Sequence, residues 1–157
     1  MTAGQSLRKR LRRCCWLRLG LSGLLASLVG CGSSPDVVSF SQSEKNLTHI
    51  AMAYGDAESK LGRPPKNADE LKPFLKEFGN PDDLLVSPVD GEPYVIAFGS
   101  ATGGGPTEYM GMFPILAYEK KGGGGKRAIT DTRGRPMNIP QADFAKLTFV
   151  RGHKPSS

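Results

Sequence analysis

Cysteine is scarce: the chain of 157 residues has three, at Cys14, Cys15 and Cys31, and none beyond. From Gly32 onward there is no thiol and no disulfide, so that part must stand on apolar packing alone. Histidine is scarcer still, with only His49 and His153. Zinc takes three or four protein ligands, and two distant histidines do not supply them. No long hydrophobic run occurs. The longest apolar stretch, Leu19 to Val29, is about eleven residues, against roughly 20 for a bilayer span. Acidic residues are missing from residues 1–30, which carry Arg8, Lys9, Arg10, Arg12, Arg13 and Arg18. Those six account for the whole net charge of +6, since 21 − 6 leaves 15 basic against 15 acidic side chains. A formally neutral remainder is not the profile of a nucleic-acid binder. The length excludes a large multidomain enzyme. Glycine and proline are plentiful, at 20 and 12, which favours a loop-rich fold over a helix bundle.

The first thirty residues read as an export signal: a basic run, a short apolar stretch and a cleavage site. The stretch closes in Leu28-Val29-Gly30-Cys31, which resembles the bacterial lipoprotein lipobox. The resemblance implies cleavage between Gly30 and Cys31, diacylglycerol on the Cys31 sulfur and an acyl chain on its amine. Acyl chains contribute about 0.8 kcal/mol per buried CH₂, so two or three hold firmly. The alternatives are an ordinary signal peptide followed by a Cys, or a buried N-terminal helix. Arg12-Arg13 leaves the twin-arginine and general export routes both open. Cys14 and Cys15 depart with the signal. Residues 31–40 read as a lipidated Cys and flexible tether. Gly32, where an Asp favours inner-membrane retention, points to the outer membrane facing the periplasm, with the inner membrane as the alternative.

From Ser41 the pattern turns helical. Ser41 to Glu44 has the form of a capping box. Leu47, Ile50, Ala51, Tyr54, Ala57 and Leu61 recur at three- and four-residue spacing, and Gly62 with Pro64-Pro65 stops the run. Asn67 caps a second segment whose Leu71, Phe74, Leu75 and Phe78 share a face, with Pro73 expected to kink it. Tyr94–Phe98, Phe113–Tyr118 and Arg127–Thr130 read as strands. Pro114 suggests an edge position for the second. Lys120 to Lys126, enclosing Gly122–Gly125, reads as a hairpin tip, and Gln141 to Leu147 as a short helix. The expected fold is α+β: one long N-terminal helix on a small antiparallel sheet over residues 41–150, with 151–157 a disordered tail.

No residue pattern carries catalysis. The glycine run before Lys126 is followed by Arg127, not by the Ser or Thr of a phosphate loop. Ser87 and Ser100 have no nucleophile context, and no G-x-S-x-G occurs. Asp82-Asp83 reads as a solvated turn or helix start. His49 reads as a helix-flank residue. Asp90, Glu92, Glu108 and Asp131 lie in or near loops and are the candidates for calcium, without the spacing of a calcium loop. Phe74, Phe78, Tyr94, Phe98, Phe113 and Tyr118 fall at core-like periods. Apart from lipid on Cys31, no cofactor and no metal is expected.

The block from Asn46 to Phe98 resembles the head region of type II secretion pseudopilins and related type IV pilin-like proteins. Three features carry it: the helix through Tyr54 to Gly62-Arg63-Pro64-Pro65, the apolar segment Leu71 to Leu75, and Pro88-Val-Asp90-Gly91-Glu92-Pro93-Tyr94. The last looks like the Asp-Pro-Trp-Gly-x-Pro-Tyr stretch that opens the sheet of those proteins. Their long apolar N-terminal helix and prepilin peptidase site are replaced here by a lipobox and tether. The resemblance therefore implies a pilin-like head on a lipid anchor.

The expectation is thus a lipid-anchored cell-envelope protein, not an enzyme, serving as a structural or interaction module and possible accessory to secretion or surface assembly. Its partners would be the membrane, through the anchor, and envelope or secretion proteins; the strand edge near Phe113–Tyr118 or the Gly-rich loops would be the contact surface. The alternative is a periplasmic small-ligand or calcium-binding domain on the same anchor.

Overall fold

The computed structural model describes residues 41–103 and 111–155. Leu28, Val29, Gly30, Cys31 and the tether lie outside them, as does Glu108. The described part is α+β, with helices and a four-stranded antiparallel sheet.

Helix α1 spans Gln42–Leu61. Its start is fixed reciprocally: Ser41 Oγ accepts from the Glu44 amide at 3.2 Å, and a Glu44 carboxylate oxygen accepts from the Ser41 amide at 2.7 Å. Its end is fixed by Gly62, left-handed at φ 68°. Leu47, Ile50, Tyr54 and Ala57 are fully buried, each of the larger ones contributing about 1.5–3 kcal/mol. The buried stripe ends there: Leu61 is 42% exposed, because the chain turns away at Gly62.

Helix α2, Ala68–Leu75, tolerates Pro73 because it is only eight residues long, and it seats Leu71 and Leu75 against α1. Asn67 caps it, accepting from the Glu70 amide at 3.0 Å. Arg63 ties the α1–α2 turn to Glu70 at 2.7 Å. This guanidinium, helped by the Lys66 amide, lowers the Glu70 carboxyl to about 2. Helix α3, Pro81–Leu84, follows an Asn80 cap. Asp82 and Asp83 occupy its first turn, and Asp82 pairs with Lys72 of α2 at 2.8 Å.

The sheet runs β1 (Val95–Ile96), β2 (Ile115–Tyr118), β3 (Lys126–Asp131), β4 (Pro136–Pro140), in that spatial order. Both faces are buried. Ile96, Leu116, Ala117 and Ala128 join the core under α1 and α2. Ile115, Tyr118, Ile129 and Ile139 face a second cluster, closed by Phe144 of the 3₁₀ segment Gln141–Lys146 and by Leu147.

Three details differ from the sequence reading. The Phe113–Tyr118 segment is not an edge. Its strand, β2, lies between β1 and β3, and beyond the short β1 it is flanked by the C-terminal segment. There Ile115 donates to the Thr148 carbonyl at 2.8 Å and accepts from the Val150 amide at 3.2 Å. Pro114 lies just before the ladder, so its missing N–H costs no sheet bond; its carbonyl accepts from Thr132 at 3.0 Å. Second, β4 is a strand that no alternation announces. It pairs with β3 from Thr130↔Pro136 to Lys126↔Pro140, with a proline at each end of the sheet's outer edge. Third, the chain past Val150 is not free at His153, whose Nε2 lies 3.1 Å from the Tyr118 hydroxyl.

Candidate functional site

The deepest polar feature is a knot around Glu119. This carboxylate is only 2% exposed, directly after the apolar strand β2. One oxygen accepts from Ser43 Oγ at 2.5 Å and Ser87 Oγ at 2.9 Å; the other accepts from the Ala128 amide at 2.8 Å. A buried charge persists only when hydrogen-bonded in this way. The knot joins the first turn of α1, the loop before β1 and the β2–β3 hairpin. Tyr94 lies in the same region; burial pushes its phenol pKa up.

Next to it, the Ser87–Tyr94 loop grips the hairpin tip. Asp90 accepts from the amides of Glu92, Lys121 and Gly122 at 3.0, 2.8 and 2.9 Å. Burial pushes its carboxyl pKa up, but these amides outweigh it and the net shift is downward. Glu92 holds Lys121 at 2.6 Å and Lys120 at 3.2 Å, and these two ammonium groups lower its pKa. Gly122 is obligatory: its φ is 71°, and a Cβ there would lie 2.2 Å from the Lys126 carbonyl oxygen.

A second buried carboxylate, Asp131, organises the β3–β4 turn. It accepts from the amides of Arg133 and Arg135 at 2.9 and 3.0 Å and from Arg135 Nε at 2.8 Å. Both guanidinium groups lie over Phe113, at 4.9 and 5.2 Å from its ring centre. On the second face of the sheet, Arg127 is 3% exposed and stacks on Phe144 at 4.0 Å. Burial lowers its pKa and that of the nearby His153.

Helix α1 also steers the Gly-rich loop. The Tyr54 hydroxyl bonds the Ser100 carbonyl at 2.9 Å, and burial raises this phenol to about 12. Glu58 accepts from the Thr102 amide and hydroxyl. A cavity of about 360 Å³ lies between Ser100, Pro114, Thr132 and Arg151.

Two shallow hollows run along α1 beside the β3–β4 turn. One, of about 270 Å³, lies between Lys45, Thr48, His49 and Pro136. The other, of about 260 Å³, lies between Met52, Gly55, Asp56 and the Thr132–Gly134 turn. Met52 stands 51% exposed there. His49 stacks on Phe78 with ring centres 4.8 Å apart, on the flank of α1.

Among the described residues, the structure does not bring the candidate calcium ligands Asp90, Glu92 and Asp131 together on one site. Asp90 and Glu92 serve the hairpin tip, and Asp131 serves the opposite turn with its oxygens occupied by arginine and backbone donors. Among the described residues, no group of three or more His, Cys, Asp and Glu is placed to hold a metal ion. Ser87 points to Glu119, and no histidine joins them in the hydrogen bonds of that knot. Of the aromatic residues, Tyr94 and Tyr118 are buried, while Phe74, Phe78 and Phe98 pack half-buried at the margin of the main core. Sequence reasoning missed Glu119. The available signal was a carboxylate ending a wholly apolar run, Ile115 to Tyr118. Among the described residues, no helix is long and apolar enough to cross a membrane. Compared with known families, characterised proteins and solved structures, the chain matches none.

Proposed function

We propose that this chain is a lipid-anchored protein of the bacterial cell envelope, without catalytic activity, that works as a structural or interaction module. Cys31 is its attachment point, after cleavage behind Gly30. The outer membrane, facing the periplasm, is the site this reading favours. The observation that carries the non-catalytic part is the use of three carboxylates. The buried Glu119 and Asp131 and the half-buried Asp90 are each filled by donors from two segments or more, Asp131 by the β3–β4 turn and by the Phe113 amide, and so act as internal ties. Among the described residues, the α1 face around Met52 is open to a protein partner, and neither sheet edge is. Both sheet edges are blunted, β4 by Pro136 and Pro140 and β1 by being two residues long.

The order helix, short helix, Asp90–Tyr94 turn and antiparallel sheet is also the layout of a pilin-like head. On this reading the head is carried by lipid rather than by a membrane-spanning helix, as an accessory to secretion or surface assembly. Two experiments test the proposal. Cys31→Ser should leave the chain without lipid and outside the membrane fraction; retention in that fraction refutes the anchor. Cross-linking from native membranes should recover secretion or pilus components. Recovery of abundant envelope proteins alone removes the accessory role.

A further inference from the structure

The placement of charge at one end of the domain identifies what that end meets. The Ser43–Glu119 bond sets the base of the β2–β3 hairpin against the first turn of α1. The hairpin tip, the Ser87–Glu92 loop and the start of α1 therefore share one end. At that end Glu119 is buried, Asp90 accepts three backbone amides, and Glu44 is held at the surface by the Ser41 amide of the capping box. Glu92 reaches out, between Lys120 and Lys121. The ammonium groups turn outward, with Lys45, Lys120, Lys121 and Lys126 all exposed. Val89, 53% exposed, projects beside the glycine tip, close enough that a Cβ on Gly123 would meet it at 2.5 Å. The tip itself carries no side chain from Gly122 to Gly125, so nothing bulky holds it off a flat surface.

Cys31 lies ten residues before Ser41, a link of at most about 35 Å. This is comparable to the length of α1, about 30 Å. The link alone would let the domain stand or lie. The outward lysines and Val89 decide between them.

Resting on the lipid-anchor reading, we infer that the Lys120–Lys126 hairpin tip, with Val89 and Lys45, is a contact surface for the anionic lipid headgroups of the membrane that holds the anchor. Each lysine near an anionic surface strengthens binding roughly fivefold. An isolated contact of that strength is weak. The anchor makes it intramolecular, at an effective concentration in the millimolar range, so it is populated. Val89 adds a small apolar wedge at the headgroup level. The domain then stands on this end, with the C-terminus of α1 pointing away.

The test uses the full chain, lipidated and reconstituted in vesicles of phosphatidylcholine with phosphatidylglycerol, and in phosphatidylcholine alone. Val89→Cys or Ser59→Cys provides one labelling site, because the chain has no other cysteine after Cys31 and lipid blocks that one. An environment-sensitive dye is quenched by headgroup spin-labelled lipid. Ser59 lies about 27 Å along α1 from Ser41. The expected result is quenching at position 89 and none above background at position 59. The signal should fall several-fold in phosphatidylcholine alone, and again with Lys45→Glu and Lys126→Glu together. Unchanged circular dichroism shows that these variants are folded. A silent label at position 89, with acylated Cys31 seen by mass spectrometry, overturns the contact while the anchor stands. Equal quenching at both positions means a domain lying flat and also overturns it. An unacylated Cys31 defeats the anchor reading, and the contact with it.

Discussion

Replacing Glu119 with leucine should be among the most damaging single changes the domain can suffer outside its apolar core. The substitution keeps the side chain close in size and removes three acceptor contacts at once. The Ala128 amide is buried and has no alternative in the strand geometry, so its orphaning costs about 1–3 kcal/mol. The hydroxyls of Ser43 and Ser87 can rotate, and together they lose about 1–2 kcal/mol. Removing a buried charge offsets part of this, because its desolvation is no longer borne. The net expectation is a loss of about 2–4 kcal/mol, against about 5–15 for the whole domain. The chain has a single tryptophan, Trp16, ahead of Cys31, so urea denaturation is best followed by far-UV circular dichroism of α1. With a slope of about 1–1.5 kcal/mol per molar urea, the midpoint should fall by about 1–4 M. A double-mutant cycle sharpens the assay. Ser43→Ala should cost about 1 kcal/mol in the native chain and almost nothing beside Glu119→Leu. A loss below about 1 kcal/mol for Glu119→Leu, or additive effects in the cycle, would refute the view that this carboxylate ties the three segments.

Other predictions concern backbone and surface. Gly55→Ala should stabilise by about 0.5–1 kcal/mol, since the residue is helical and its Cβ meets nothing within 4 Å; a lower melting temperature would count against it. Gly122→Ala should cost more than Gly124→Ala. Both have positive φ, but only at Gly122 does the Cβ meet backbone, at 2.2 Å, and equal melting temperatures would be the contrary result. Glu70, lowered to about 2 first by Arg63, should add stability that is fully present above about pH 4.5 and is lost as pH falls through about 2. Carboxyl NMR titration should follow that midpoint and see it return toward the usual value in Arg63→Ala.

How much could be read ahead depended on the range of the cause. Helix α1 was legible because its signals are local: Ser41 and Glu44 cap it, the stripe from Leu47 to Ala57 shows its face, and Gly62 ends it. The hairpin tip was legible for the same reason. Strand β4 was not, because Pro136 and Pro140 mask a five-residue strand whose existence depends on β3 beside it. Pro114 misled because a proline just outside a ladder looks the same in sequence as one within it. Glu119 was opaque for a different reason: Ser43 lies 76 residues away and Ser87 lies 32 away. The lipobox, by contrast, is wholly local in sequence and lies outside the described residues.

That separation of 76 residues also bears on how the chain folds. The bonds that seat α1 come from partners far along the chain: the Tyr54 hydroxyl reaches Ala97, 43 positions on, and Ser43 reaches Glu119. A helix of this length is only marginal alone in water. A topology dominated by such distant pairings closes slowly, on the millisecond-to-second scale, because loop entropy is lost before the contacts form. A chain made from its N-terminus therefore carries an apolar helix covered only in part, by Leu71 and Leu75 of α2, until the β3 segment has been added. During that interval the uncovered part of the stripe from Leu47 to Ala57 is the surface on which misassembly or a chaperone would act.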